Sequence, residues 1–348
     1  MRFVFYTNSV SPHQLPLARE LVRRLGADNY RYVAKAKLPP SRLACGWKEV
    51  SEPWISYGEY GKDAVTDEML ETCDVLLTGE RCLGLFEKRA ENGLKTLYYS
   101  ERWFKPIHGV TGRLRMLVPS FRRMAKRFVS IVNTNPDMMV LPVGVHAKKD
   151  MEALGVSSEK MMMWGYFVEP SSLNGGRAAH DDAELKVICV GRLVRLKHFD
   201  TVIRAVIKAN SICPTRSVTL TIIGDGPEKC RLVKLAERLS PKSPVVSFLP
   251  AQPIDEVRRL IRDYDVLVFA SDGRDGWGAV VNEALEEGIA AVGTYETGAS
   301  ATILPESNLF HAGDYNALAV ILCGSFVKNG IGEWSAAEGA EKLLAGIR

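Results

Sequence analysis

The sequence predicts two doubly wound α/β domains in series within 348 residues. Three observations carry that expectation. Short β-branched or aromatic runs alternate with amphipathic segments along almost the whole chain, the pattern of parallel sheets covered by helices. The 29 glycines are spread along the sequence, which suits many strand-to-helix turns. The alternation stops once, at "VEPSSLNGGRAAHDDAE" (168–184), a stretch rich in Pro, Ser, Gly and Asp with no apolar period, and then restarts. A chain of this length is long for one core, and two cores of roughly 150 residues each fit it. The expected division is a first domain over 1–168, a linker over 169–184, a second domain over 185–330, and a carboxyl-terminal helix over 331–348 that packs back on the first domain.

In the first half, "RFVFYT" reads as a strand, "LPLARELVRRLG" as a helix ending at Gly26, and "NYRYVAKA" and "DVLLTG" as strands. "LFEKRAENG" follows as a helix, "KTLYYS" as a strand, and "RLRMLVPSFRRMAKRFV" as a helical region. "MMVLPVG" is then a strand, "AKKDMEALG" a helix and "KMMMWGYF" an edge strand. Past the linker, "LKVICVG", "SVTLTIIG", "VVSFLP", "DVLVFAS" and "IAAVGT" read as strands. Helices "FDTVIRAVIKAN", "PEKCRLVKLAERL" and "IDEVRRLIRDY", one after Gly278, and more from Tyr315 onward lie between and after them. Two such sheets in series predict a cleft between the carboxyl ends of their strands, where open α/β sheets bind ligands.

Composition narrows the function. A hydrophobic fraction of 46% with 25% charge excludes a disordered chain. The balance of 45 basic against 41 acidic residues is too even for a nucleic-acid binder. The longest apolar run, 317–327, is far short of a membrane span, and "MRFVFYTNSV" lacks the long hydrophobic region of a signal peptide, so a cytoplasmic protein is expected. Seven cysteines (45, 73, 82, 189, 213, 230, 323) include no CxxC pair and are expected to be reduced packing residues.

Three stretches of the second half carry chemistry. In "VGRLVRLKHFD" a strand ends at Gly191, with Arg192 next and Lys197 just before a helix. Two cations beside a helix amino terminus make an anion site suited to a diphosphate; standing alone, the stretch reads equally as a solvated basic loop. In "IIGDGPEK" a strand runs into Gly224, Gly226 and Pro227, and glycine lets the backbone come close to a ligand. No third glycine follows, so this is not a dinucleotide fingerprint, and an NAD dehydrogenase is disfavoured. In "DGRDGWGAVVNEAL" the loop after an apolar strand supplies Asp272, Arg274 and Asp275, then Gly276, Trp277 and Gly278, then a helix bearing Glu283. Carboxylates in that place can accept ribose and sugar hydroxyls; the plainer reading is an acidic loop capping a helix.

The joint order of these blocks, strand-Gly-Arg-Leu-x₃-Lys, strand-Gly-x-Gly-Pro and acid-Gly-aromatic-Gly-x₄-Glu-Ala-x₃-Gly, resembles the carboxyl-terminal domain of the retaining family-4 glycosyltransferases of GT-B fold. The resemblance runs from about Lys186 to Ala299 and includes "TGA" at 297–299. It implies that Arg192 and Lys197 hold a donor diphosphate, that Asp275 contacts the donor sugar and that Glu283 contacts the ribose. The same resemblance places Gly191 and the Gly224–Pro227 turn against the nucleotide, and Phe248 and Leu249 near its base. Asp275 stands where the family has Glu, one methylene longer, and His198 where a glycine commonly follows the Lys. The first half resembles the family less closely. "NSVSPHQLP" lies where the family's first loop approaches the donor phosphates, and His13 and Gln14 are its candidate contacts. In "YYSERWFKP", Glu101 is a candidate catalytic residue in the loop where many members carry a histidine; a surface ion pair is the plainer reading. His108 and His146 are candidate polar contacts whose plainer reading is structural or acceptor-side.

The expectation is therefore a metal-independent enzyme that moves a sugar from a nucleoside diphosphate sugar, UDP-linked or GDP-linked, to an acceptor hydroxyl with retention. It needs no cofactor beyond that co-substrate, and cell-surface polysaccharide or glycolipid assembly is the expected setting. A carbohydrate or lipid-linked sugar is the expected acceptor, and no nucleic acid is involved. Six basic residues among Leu, Met, Phe and Val in 113–127 suit either a solvated face or contact with an anionic membrane. Two rivals remain at this stage: a sugar-nucleotide 2-epimerase of the same architecture, and a non-catalytic nucleotide-sugar-binding subunit.

Overall fold

The computed structural model describes residues 1–43, 46–105, 112–171, 183–213, 215–241, 245–324, 326–328 and 330–347. The chain divides into two compact units, one made of Met1–Glu169 with Glu333–Arg348 and the other of Pro170–Gly332.

The first unit runs β1 (Phe3–Thr7), α1 (Leu15–Leu25), β2 (Tyr30–Ala34), α2 (Pro40–Leu43), β3 (Ile55–Tyr57), α3 (Ala64–Thr72), β4 (Val75–Thr78), α4 (Leu83–Glu91), β5 (Lys95–Ser100), α5 (Pro119–Thr134), β6 (Met138–Pro142) and α6 (Val145–Leu154). Its six strands are parallel, in the order β3-β2-β1-β4-β5-β6. Every residue of β1 and β4 is buried, as expected of central strands covered on both faces. Sequence chemistry sets the helix ends: α1 carries Pro16 in its first turn, Arg23 and Arg24 in its last, and Gly26 beyond it at φ 83°.

Three expectations for this unit need correction. "KMMMWGYF" is not an edge strand: after a 3₁₀ turn at Ser158–Lys160 it makes only isolated parallel bridges, Met161 to Val140 in β6 and Trp164 to Val143 just beyond it. The three-residue strand β3 forms the edge at the other side of the sheet, too short to stand out as a run. The basic helical region is broken, with a 3₁₀ segment at Gly112–Leu117 and α5 starting at Pro119. Val118, directly before that proline, is extended at φ −78°, ψ 116°, because the proline ring disfavours a helical residue ahead of it.

The second unit runs β7 (Glu184–Val190), α7 (Phe199–Ile212), β8 (Ser217–Ile223), α8 (Lys229–Leu239), β9 (Val246–Leu249), α9 (Ile254–Ile261), β10 (Val266–Phe269), α10 (Val280–Glu286), β11 (Ala290–Thr294), α11 (Gly298–Ile303), β12 (Leu309–Phe310) and α12 (Tyr315–Cys323). Its parallel order, β12-β11-β10-β7-β8-β9, repeats that of the first sheet. A continuous core joins β7, β8 and β10 to α7, α8 and α12 through Val187, Cys189, Ile203, Val206, Leu220 and Leu318. The last helix, α13 (Ala336–Ala345), returns to the first unit and packs on α1. Most of the expected linker, 172–182, lies outside the described residues. Ser171 is held in the second unit, its amide donating to Glu286 Oε1 at 2.9 Å and its hydroxyl to Glu287 Oε2 at 2.9 Å. The six described cysteines are all free thiols.

Candidate functional site

In each sheet the strand order reverses once, between β1 and β4 in the first unit and between β7 and β10 in the second. The carboxyl ends of the strands at such a reversal splay their loops apart and leave room for a ligand. In the second unit that point carries Lys197 and Asp275. Lys197 closes the 3₁₀ turn Arg195–Lys197 after β7, and its Nζ lies 2.6 Å from Asp275 Oδ2 and 4.8 Å from the centre of the Phe269 ring at the end of β10. Gly191 has φ 149°, and a Cβ there would lie 3.8 Å from the same Nζ, so the amine crosses directly over the end of β7.

A second polar contact docks the two loops together. The Asp272 amide donates to Leu196 O at 2.9 Å, and His198 Nε2 lies 3.2 Å from Asp272 Oδ2. Arg274 clamps the same carboxylate through its amide at 2.9 Å and its guanidinium at 2.6 Å. His198 has φ 48°, the only non-glycine residue with positive φ among those described. A glycine is at ease there, whereas a histidine is strained by contact of its Cβ with the backbone. The bond to Asp272 accompanies that strain.

Burial pushes the Asp275 carboxyl up, but the Lys197 charge and the hydrogen bond from the Gly276 amide outweigh it and hold the group below the usual Asp range. Glu283 is the opposite case. On α10 it is 8% exposed, and burial pushes its pKa to about 7; the Arg258 charge opposes this, and Glu287 adds to it. Arg258 cannot serve Glu283 alone because it is ion-paired with Glu287, which also takes Arg262 at 2.6 Å. Arg192 is exposed, and no ion pair or side-chain hydrogen bond engages it among the described residues.

The glycines bring neighbouring loops of this unit together. Gly224 and Gly226 both have φ 155°, and a Cβ on Gly224 would lie 2.0 Å from Gly191 O, one on Gly226 2.5 Å from Leu193 O. Their closeness is therefore to the neighbouring loop, which they hold through Leu193 N to Asp225 O at 2.8 Å. Gly278, at φ 93°, leaves room for the Phe269 ring, 2.3 Å from where its Cβ would be. Trp277 is a core residue, 2% exposed with its ring N–H on Asn282 Oδ1 at 2.7 Å. The Gly276 carbonyl accepts from the Gly298 amide at 3.2 Å and ties the loop to α11. The Phe248 ring packs against the core beside α8, while Leu249 ends β9 with its carbonyl accepting from the Gly224 amide at 3.0 Å.

With this geometry in place, residues 184–324 match the family model described as glycosyl transferases group 1. The second unit is a group 1 glycosyltransferase domain. Comparison with curated proteins finds none that matches. Among solved structures the chain is similar to HepE of Anabaena in complex with UDP, at 16% identity over 99% of this chain and 95% of that one, TM-score 0.60. It is also similar to the lipopolysaccharide outer core galactosyltransferase WaaB in its apo form, at 14% identity over 100% and 99%, TM-score 0.65. OtsA in its apo form gives 11% identity over 100% and 99%, TM-score 0.66. At these identities the likeness shows the fold, two Rossmann-like units of the GT-B class.

The first unit supplies the remaining candidates, each in its own surroundings outside the group 1 domain. His13 packs edge-on against Trp47, whose other partner is the Arg42 guanidinium 4.6 Å from the ring centre; burial, then Arg42, lowers its pKa to about 4. Gln14 is buried, donating to Tyr99 Oη at 2.6 Å and accepting from the Tyr32 hydroxyl at 2.8 Å. Glu101, at the end of β5, is ion-paired with Lys105 and accepts from the Tyr166 hydroxyl at 2.9 Å. His146 opens α6, and His108 lies outside the described residues. Phe269 and Arg258 stand in none of the three motif stretches. The first could have been found as the aromatic residue ending a strand before a Gly-x-Gly turn; the second gave no signal, since its relation to Glu283 depends on α9 packing against α10.

Proposed function

We propose that this protein transfers a sugar from a UDP-linked donor to an acceptor hydroxyl, with retention of the α linkage and without a metal ion. The observation that carries the reading is the Lys197–Asp275 pair at the β7/β10 switch point of a group 1 glycosyltransferase domain, with an exposed Arg192 in the same β7–α7 loop. HepE, of the same fold, has been solved with UDP and with UDP-glucose, which favours UDP here.

The reaction breaks the bond between the anomeric carbon and the β-phosphate oxygen and forms one from the same carbon to the acceptor oxygen on the same face. The acceptor proton passes to the departing phosphate oxygen. Negative charge grows on the diphosphate as the bond breaks, and Arg192 and Lys197 stabilise it with positive charge already in place. Without donor, Lys197 is neutralised by Asp275. An incoming diphosphate draws the amine away and frees the Asp275 carboxylate to accept hydroxyls of the donor sugar. Glu283 accepts the ribose hydroxyls, and Leu249 at the end of β9 is better placed toward the base than Phe248. Gly191 and the Gly276–Gly278 loop shape the walls. Glu101, held by Lys105 and Tyr166, is a candidate catalytic residue, and His13, against Trp47, is a candidate donor contact. The acceptor is a carbohydrate or lipid-linked sugar in cell-surface polysaccharide or glycolipid assembly, glycosylated in the cytoplasm at the inner face of the membrane.

A thermal-shift panel of UDP, GDP, ADP and their sugars tests the donor. A rise in Tm with UDP and UDP-sugars is expected, and no rise with any nucleotide overturns the assignment. Arg192→Ala and Lys197→Ala are each expected to lower turnover about 100-fold or more, and unchanged turnover overturns their role. Sugar product formed without acceptor would instead identify an epimerase.

A further inference from the structure

We propose that the face formed by 112–126 docks on an anionic lipid bilayer, with Leu114, Leu117 and Val118 entering the interface and Arg122, Arg123 and Lys126 meeting lipid phosphates. It deepens the reading of a lipid-linked acceptor and depends on that reading for its purpose, while binding itself stands on the chemistry of the face.

The break in the basic region creates this face. The 3₁₀ segment Gly112–Leu117 and the extended Val118 turn apolar side chains outward: Leu117 is 76% exposed, Leu114 and Val118 each 50%. Leu117 is the most exposed large hydrophobic residue among those described, and its two companions fall within the same five residues. Such side chains scattered singly are ordinary surface; three together are a patch. Immediately beyond them α5 buries Ala125, Phe128, Ile131 and Val132 along one stripe, so Arg122, Arg123 and Lys126 fall on its exposed side. Arg127 is spent on an ion pair with Glu87 and takes no part. Residues 102–136 contain no Asp or Glu, so the segment offers these cations no acid of its own. Exposed leucines and valine flanked by cations without an ion pair among the described residues match the two layers of an anionic bilayer surface, acyl boundary and phosphate. A protein partner would need acids placed against fixed cations; a lipid surface supplies mobile ones.

Flotation of the full chain with vesicles tests this, using phosphatidylcholine alone and phosphatidylcholine with about a third phosphatidylglycerol. Binding is expected to the mixed vesicles only, and to weaken at high salt. A basic residue near such a surface contributes about fivefold, so the R122E/R123E/K126E variant should lose at least about 100-fold. Leu117→Ser should lose about tenfold, because an apolar side chain no longer enters the interface. Both variants should keep the UDP-induced rise in Tm, which reports folding and the donor site separately. Equal binding to pure phosphatidylcholine, no binding to either vesicle, or full binding by the charge-reversed variant overturns the proposal. Loss of the UDP response in the unmodified protein would overturn the donor reading and leave the vesicle result standing.

Discussion

Glu283 shows how burial of one carboxyl sets a pH dependence. Its pKa in the folded chain is about 7, against an ordinary value of 4.5, so the fold binds this proton more tightly than the unfolded chain does. The stabilisation from that proton is fully present below the ordinary value and is lost as pH rises through about 7. Glu283→Gln removes the ionisation, and the variant should exceed the unmodified protein in stability at pH 8 by up to about 3 kcal/mol while differing little at pH 4.5. Thermal denaturation at the two values checks this; equal Tm differences at both would contradict it. Ribose hydroxyls prefer the ionised carboxylate as acceptor, so UDP affinity, followed by calorimetry, should rise as pH passes 7 in the unmodified protein and stay level in Glu283→Gln. His198 is the other residue that departs from its surroundings, holding φ 48° with its ring on Asp272. His198→Ala keeps the strain and loses the bond, whereas His198→Gly loses both. The glycine variant should be the more stable of the two by about 1 kcal/mol, and the reverse order in denaturant titrations would show that the αL conformation is not the source of strain.

At the scale of elements, the site is a contact between loops. Gly224 lets the β8–α8 turn lie against the β7–α7 turn, and the latter in turn receives the Asp272 loop through Leu196 O and His198. Gly224→Ala puts a methyl 2.0 Å from Gly191 O, a backbone atom with no rotamer by which to yield. The two turns must separate, at a cost of about 2 kcal/mol or more. Lys197 should lose its position over Gly191, and UDP affinity should fall together with Tm; a variant as stable as its parent would remove this account of the turn. The same glycines mark what the sequence could and could not convey. Strand runs were legible because buried parallel strands read as unbroken apolar stretches, and Arg192, Lys197, Asp275 and Glu283 stood out by order and spacing. The partner of Gly224 was not legible, because Gly191 lies in another loop and only sheet order brings them together. The Trp277 ring, between two glycines in the sequence, bonds to Asn282, a partner that spacing alone does not show. "KMMMWGYF" has the apolar content of a strand, and only its two isolated bridges show that the backbone pairs intermittently.

At the scale of the whole molecule, the first unit is discontinuous in sequence, and its last piece arrives after the group 1 domain is complete. Ser335 caps α13 by accepting the Glu338 amide at 3.2 Å, and the helix buries Ala336, Gly339, Ala340 and Leu343. Arg24, near the end of α1, donates to Ala337 O at 3.0 Å. Gly339 admits the Phe167 ring, 2.4 Å from where its Cβ would stand, so α13 also covers the last residues of the first unit before the chain leaves it. Gly339→Val should overpack this contact and weaken α13, α1 and the Phe167 segment by about 1–3 kcal/mol. Because β7 through α12 form a core of their own, the loss should stay within the first unit. Hydrogen exchange separates the cases: amides of α1, α13 and Phe167, whose N–H donates to His13 O at 3.2 Å, should exchange faster, while those of β7, β8 and β10 keep their protection. The UDP-induced rise in Tm should persist, since every proposed donor contact except His13 belongs to the group 1 domain. Uniform acceleration across both sheets would mean that the two units unfold as one cooperative body, and the local account of α13 would fail.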